Sequence, residues 1–172
     1  MRKQLKIQIK PQYVATSSTK FRGHYLHSFQ ETMLNINDLE EEVLILTAPT
    51  GTGKSFSFPL PIIVDKEKKS LTPKRALIIS PTNALINDME KEYRGLAERE
   101  NLKITKLNAA KLNELNAKGT NRWSAILKII GEHDIIITNP DILNWAMTGG
   151  YSYQNWQEQV WELVRKVHYF IF

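Results

Sequence analysis

Cysteine is absent from the 172 residues, which excludes disulfides, thiolate metal ligands and cysteine nucleophiles. Long hydrophobic runs are missing too. The longest apolar stretch, Phe58 to Val64, is interrupted by Pro59 and Pro61, far short of the roughly 20 residues a membrane-crossing helix needs. Arg2 and Lys3 lack a following hydrophobic segment, so no secretory leader is read. His24, His27, His133 and His168 lack a metal-ligand arrangement with acidic neighbours, so no metal is assigned to them. Repeats, low-complexity tracts and a long linker are lacking as well. These absences leave a soluble, cytoplasmic domain with no membrane partner as the expectation.

The composition, 42% hydrophobic and 24% charged, is that of one globular domain. Lys and Arg outnumber Asp and Glu by 23 to 18, a net charge of +5, which permits a polyanionic partner without requiring one. The excess is concentrated at the start. Arg2, Lys3, Lys6, Lys10, Lys20 and Arg22 precede the first acid, Glu31, so this segment is either a solvated arm or a nucleic-acid contact.

Leu5, Ile7 and Ile9 alternate with polar residues as in a half-exposed edge strand, and Pro11 to Lys20 reads as a loop. Residues 1–20 therefore form a basic strand and loop ahead of a domain over 21–172. Tyr25, Phe29, Met33 and Ile36 form a helical stripe. Val43–Leu46, Ala76–Ile79 and Ile135–Ile137 are continuous apolar runs, the pattern of strands buried on both faces. Helical patterns cover Ala84–Arg99, Trp123–Ile130, Asp141–Met147 and Asn155–Lys166, with a weak strand near Ile104 and a final strand over Val167–Phe172. Strands alternating with helices predict an α/β fold, a three-layer α/β/α arrangement around a mostly parallel sheet.

The most informative residues follow the Val43–Leu46 run: Thr47-Ala48-Pro49-Thr50-Gly51-Thr52-Gly53-Lys54-Ser55. Gly51 and Gly53 allow a backbone turn in which successive N–H groups point at phosphate oxygens. A helix starting near Gly53 adds the positive end of its dipole. Lys54 supplies charge for β and γ phosphates, and the Ser55 hydroxyl is a Mg²⁺ ligand. Ala48 stands where the strict phosphate-loop pattern has its first glycine. Pro59 and Pro61 should kink or end the following helix early.

Two further strand-to-helix junctions carry short polar side chains: Ser80-Pro81-Thr82-Asn83 and Thr138-Asn139-Pro140-Asp141. Taken singly, each is also an ordinary helix N-cap. Placed together at the carboxyl ends of parallel strands, they sit where open α/β sheets bind ligands.

In this order the segments resemble the first RecA-like domain of superfamily 2 helicases and translocases. Ala48 to Ser55 resembles motif I, Ser80 to Leu85 motif Ia, and Thr138 to Leu143 the Thr-Pro motif that grips the nucleic-acid backbone. Gln30, 24 residues before Lys54, is similar to the Q-motif glutamine that reads the adenine edge. The resemblance implies ATP and Mg²⁺ as cofactors, with Lys54 as the catalytic residue. Gln30, Pro49, Thr50, Gly51, Thr52, Gly53, Lys54 and Ser55 are then the nucleotide-binding set, and Ser55 the Mg²⁺ ligand. It implies nucleic-acid contact through Pro81, Thr82, Asn83, Thr138, Asn139, Pro140 and Asp141, with single-stranded DNA as partner and 3′-to-5′ movement.

The wording SPTNALINDME with IIITNPDIL resembles the CRISPR-associated helicase of type I interference systems, especially the type I-D form. That narrower likeness implies an effector complex and a separate nuclease as partners. Repair-type helicases share a similar motif Ia. An alternative of another class is a docking or scaffold module with an idle nucleotide site. The aromatic stretch Trp145, Tyr151, Tyr153, Trp156 and Trp161 then meets a protein partner rather than stacking on bases. The acidic pair that opens a DExD/H box, which the resemblance places after a strand like Val167–Phe172, does not occur in these residues. The domain is therefore expected to be incomplete at its C-terminus and inactive alone.

Overall fold

A computed structural model describes residues 16–36, 43–69, 73–117, 119, 121–148 and 155–172. The strand expected over Leu5–Lys10, and Tyr151 and Tyr153, lie outside them. The chain divides into two compact units, Met1–Pro61 and Ile62–Phe172.

The first unit opens with a hairpin, β1 (Thr16–Phe21) and β2 (His24–His27), paired antiparallel with Lys20 opposite Tyr25 and Phe21 opposite His24. The two turn residues, Arg22 (φ 52°) and Gly23 (φ 85°), are both left-handed, as a two-residue turn between twisted strands requires. This corrects two expectations: part of the 11–20 loop is a strand, and the helix predicted from Tyr25 begins three residues later. Tyr25 and Leu26 belong to β2 because cross-strand pairing through the Arg22-Gly23 turn outweighs a helical spacing that rests on few residues. The helix itself, α1 (Ser28–Leu34), buries Phe29, Gln30 and Met33.

A third correction concerns Val43–Leu46. Residues 43–49 join neither sheet, and Val43 and Ile45 are each 57% exposed. An apolar run signals a demand for burial, but a strand also needs a ladder partner, and the structure gives this segment none among the described residues. The phosphate loop leads into α2 (Lys54–Ser57), which stops at Phe58 and Pro59 before α3 (Leu60–Glu67) begins. The expected proline interruption is thus present. Pro59 lacks an N–H to continue α2, whereas Pro61 falls in the first turn of α3, where no such donor is required.

The second unit is a four-stranded parallel sheet flanked by helices. It contains β3 (Ala76–Ile79), β4 (Ile104–Leu107), β5 (Ile135–Thr138) and β6 (Tyr169–Ile171), in spatial order β4-β5-β3-β6. Every residue of β3 and β5 is buried, as two-sided coverage requires of apolar runs without alternation. Leu77, Ile79 and Ile136 face a core built with α5 (Ala109–Ala117), α6 (Arg122–Glu132), α7 (Pro140–Thr148) and α8 (Trp156–Lys166). By the two-residue period of strands, Ala76, Ile78, Ile135 and Ile137 face the other side. There α4 (Asn83–Glu100) packs on β4 and β5 and buries Ile86, Tyr93 and Leu96. The sequence pattern missed α5, whose amphipathic stripe is weak and buries Leu112 alone.

Trp123 is 1% exposed and lies 5.8 Å from the Trp145 ring. Trp123→Ala is expected to lower the unfolding free energy by about 3–5 kcal/mol through lost transfer energy and the cavity left behind; the urea midpoint measures it.

His168 joins β6 to the start of β3. Its backbone N–H donates to the Arg75 carbonyl (2.9 Å), and its Nδ1 accepts from the Arg75 N–H (3.3 Å). Burial, then the charges of Lys74 and Arg75, lower its pKa below the ordinary 6.5 against an opposing pull from Asp65. The folded state therefore binds fewer protons than the unfolded one just below that value. Stability present above pH 6.5 is expected to fall as pH drops through the lowered value, and His168→Asn should flatten that limb in pH-dependent urea titrations.

Candidate nucleotide and nucleic-acid sites

In the first unit the glycine loop has the backbone its composition requires. Gly51 (φ 79°) and Gly53 (φ 78°) are left-handed, a conformation that strains residues bearing a Cβ. Thr52 Oγ1 donates to the Pro49 carbonyl at 2.7 Å, and the Lys54 ammonium donates to the Ala48 carbonyl and to the Pro49 carbonyl at 2.8 Å. These bonds close the loop on itself and hold the Lys54 charge beside it. Ser55 follows, half-buried, in α2. With four residues, α2 contributes only a small dipole. The anion-binding capacity therefore rests on loop N–H groups and the lysine charge.

Gln30 is 6% exposed and tied at both ends of its amide. Its Oε1 accepts from the His27 N–H at 2.9 Å, completing the N-terminal cap of α1, and its Nε2 donates to the Gly53 carbonyl at 3.2 Å. A Cβ added at Gly53 would lie 3.0 Å from that Nε2. The amide retains one N–H and one lone pair for a further partner. Sequence reasoning placed Gln30 near a nucleotide but missed its bond to the loop. No local pattern encodes a contact between residues 23 apart.

In the second unit, β3 and β5 end side by side with Ile79 opposite Thr138. The Ser80 N–H donates to the Thr138 carbonyl at 2.8 Å and extends the ladder by one bond. Two helices therefore start from adjacent strand ends. Thr82 caps α4 by accepting from the Leu85 N–H (3.3 Å), and Asn139 caps α7 by accepting from the Ile142 N–H (3.0 Å). The caps are linked, because Asn139 Nδ2 donates to Asn83 Oδ1 at 3.4 Å. Pro81, Thr82, Asn83, Pro140 and Asp141 are exposed together on this edge. Thr138 is not with them: it is 1% exposed, and its hydroxyl donates to the Leu107 carbonyl at 2.7 Å. Asp141 carries a negative charge in the first turn of α7; it favours the helix start and repels a phosphate.

Among the described residues, no group of three or more His, Asp or Glu could hold a metal, and no helix is long and apolar enough to cross a membrane. Trp123 is in the core, 1% exposed, whereas Trp161 is 62% exposed.

A left-handed glycine loop with a lysine and hydroxyl, and a parallel sheet with polar helix starts at its carboxyl edge, define a phosphate-loop α/β protein. The chain belongs to the DEAD/DEAH box helicase family, whose profile matches residues 28–172 and so spans both compact units. It is 30% identical over 131 residues to the ATP-dependent RNA helicase DBP6 of Vanderwaltozyma polyspora, covering 74% of this chain and 19% of that protein. It is 29% identical over 106 residues to the probable ATP-dependent RNA helicase DDX52 of Bos taurus, covering 60% and 16%. The chain thus spans less than a fifth of these relatives' length. Among solved structures it resembles the DUF1998 helicase MrfA bound to DNA and AMPPNP, with a TM-score of 0.59 and 22% identity over 85% of this chain and 18% of that one. That likeness concerns the fold.

Removing the Asn139 side chain takes away both the α7 cap and its link to Asn83. Asn139→Ala is expected to cost about 1–2 kcal/mol in unfolding free energy, measured by chemical denaturation.

Proposed function

We propose that this chain is the ATP-binding part of a nucleic-acid helicase or translocase, with residues 21–172 belonging to its first RecA-like domain. The observation that carries the reading is the glycine loop beside Lys54, with Gln30 fastened to it. In this reading Pro49, Thr50, Gly51, Thr52 and Gly53 present backbone to the nucleotide phosphates. Lys54 leaves the Ala48 and Pro49 carbonyls for the β and γ phosphates, where it offsets the charge that develops on phosphoryl transfer. The free valences of the Gln30 amide meet the adenine edge.

A single hydroxyl oxygen from Ser55 suits Mg²⁺, which arrives with the nucleotide and keeps several waters. When bound, the ion neutralises negative charge shared between the two terminal phosphates. Pro81, Thr82, Asn83, Asn139 and Pro140 meet the sugar-phosphate backbone of a single strand through helix starts and short polar groups, without reading bases.

The curated relatives carry RNA in their names, and the structural neighbour is bound to DNA. The finer reading is single-stranded DNA in CRISPR interference, beside an effector complex and a nuclease. It rests on the wording of SPTNALINDME and IIITNPDIL alone. Competition between oligouridylate and oligothymidylate for the purified chain separates the two strand types.

The 172 residues contain no Asp-Glu pair to orient an attacking water. The chain is therefore expected to bind ATP with Mg²⁺ but not to hydrolyse it appreciably. Lys54→Ala should weaken binding at least tenfold in calorimetric titration. ATP binding unaffected by that substitution would favour the scaffold reading, and Lys54-dependent hydrolysis by this chain would refute the expected inactivity.

A further inference from the structure

The hairpin ahead of α1 has a feature that lies outside the proposed nucleotide-binding residues. On a strand, side chains alternate between faces. Leu26 is 1% exposed and marks the inward face of β2, so Tyr25 points outward and is 60% exposed. Lys20 stands opposite Tyr25 in the ladder, on the same outward face, with its ammonium 4.5 Å from the ring centroid. At the turn, the Arg22 guanidinium lies 5.3 Å from the Phe21 ring. The hairpin carries two cations, each on an aromatic face, and no acid from Thr16 to His27.

An ammonium over one face of Tyr25 holds the ring in place. The Tyr25 side chain remains largely open to solvent. An aromatic plane flanked by positive charge matches the chemistry of an unpaired nucleotide: the base stacks on the ring and its phosphate meets the cation. A protein partner of acidic surface would satisfy the charges but would make no particular use of the ring. A lipid surface would call for several exposed apolar side chains, whereas Phe21 is half-buried.

We infer that the β1–β2 hairpin is a second contact for single-stranded nucleic acid, with Tyr25 stacking on a base and Lys20 and Arg22 binding the adjoining phosphates. The inference rests on the proposal that the protein acts on a strand, and adds residues other than the helix starts at Thr82 and Asn139 to that contact. The hairpin contact tolerates any base, because every base offers a π face.

The test uses the 172-residue chain and fluorescein-labelled oligouridylate and oligothymidylate, with anisotropy read across a salt series. Tyr25→Ala should weaken strand binding about tenfold, Tyr25→Phe should restore it, and ATP affinity should stay unchanged in both. Lys20→Ala should reduce the slope of log affinity against log salt by about 0.7, the value of one single-strand phosphate contact. Tyr25 is exposed, so its removal should leave the circular dichroism and urea midpoint in place.

Strand binding by the parent chain that Tyr25→Ala leaves intact overturns the hairpin site alone. Loss of ATP affinity in Tyr25→Ala with strand affinity retained also overturns it and assigns the ring to the nucleotide. If the parent chain binds neither oligonucleotide, the proposed function fails first and takes the hairpin contact with it.

Discussion

In the second unit, everything that could meet a ligand depends on the register of β3 against β5. The pairing runs from Ala76 opposite Ile135 to Ile79 opposite Thr138, and the Ser80 N–H adds one more bond to the Thr138 carbonyl. Strand side chains alternate between faces, so a slip of one residue would turn buried isoleucines toward the wrong layer. Because the register holds, both strands end at the same level, and the helices that follow start from neighbouring points. The Asn139–Asn83 bond is a product of that alignment. An edge with two adjoining helix starts is then set by apolar burial several residues away, rather than by the polar residues displayed on it.

A comparable economy governs the first unit. Gln30 is buried, and a buried amide without partners is costly. Its two bonds answer that cost and also join the start of α1 to the phosphate loop. The loop needs such a brace because its own sequence favours freedom: Gly51 and Gly53 lose more conformational entropy on ordering than residues with a side chain. Internal bonds from Thr52 and Lys54 to the Pro49 carbonyl supply part of the ordering, and Gln30 anchors the last glycine. Lys54 is thus both a structural donor and the group whose charge suits an anion. Exchanging carbonyl oxygens for phosphate oxygens replaces dipole partners with charged ones, which make stronger hydrogen bonds.

How legible all this was in the sequence depended on the range of the interaction. The β3, β5 and α4 segments stood out because unbroken burial and helical periodicity are local signals, and the observed bounds of α4 exceed the predicted ones by one residue at each end. The proline break after Ser57 was legible for the same reason. Val43–Leu46 misled, because hydrophobicity reports a demand for burial and says nothing about the ladder that would meet it. The β1–β2 hairpin was hidden for the opposite reason. Its turn, Arg22-Gly23, lacks the asparagine or aspartate usual at the first position, and an arginine with φ of 52° is not anticipated from composition. At the candidate sites, the residue types were readable but their occupations were not. Thr138 reads as a phosphate contact until its hydroxyl is found spent on the Leu107 carbonyl.

That last point bears on how such a surface would discriminate among strands. The exposed groups at the sheet edge, Thr82, Asn83 and the first turns of α4 and α7, are donors and acceptors suited to phosphate and sugar oxygens, which RNA and DNA share in large part. Two helix starts add partial positive charge, while Asp141 places a full negative charge beside one of them. The edge is consequently a weak electrostatic trap for a polyanion by itself. Net charge gives the same answer at larger scale. The six cations ahead of Glu31 exceed the whole chain's net +5, so the residues from Glu31 onward sum to about neutral. The net positive charge of the chain therefore lies in its first thirty residues. In the proposed reading, attraction and positioning then fall to different parts of the sequence.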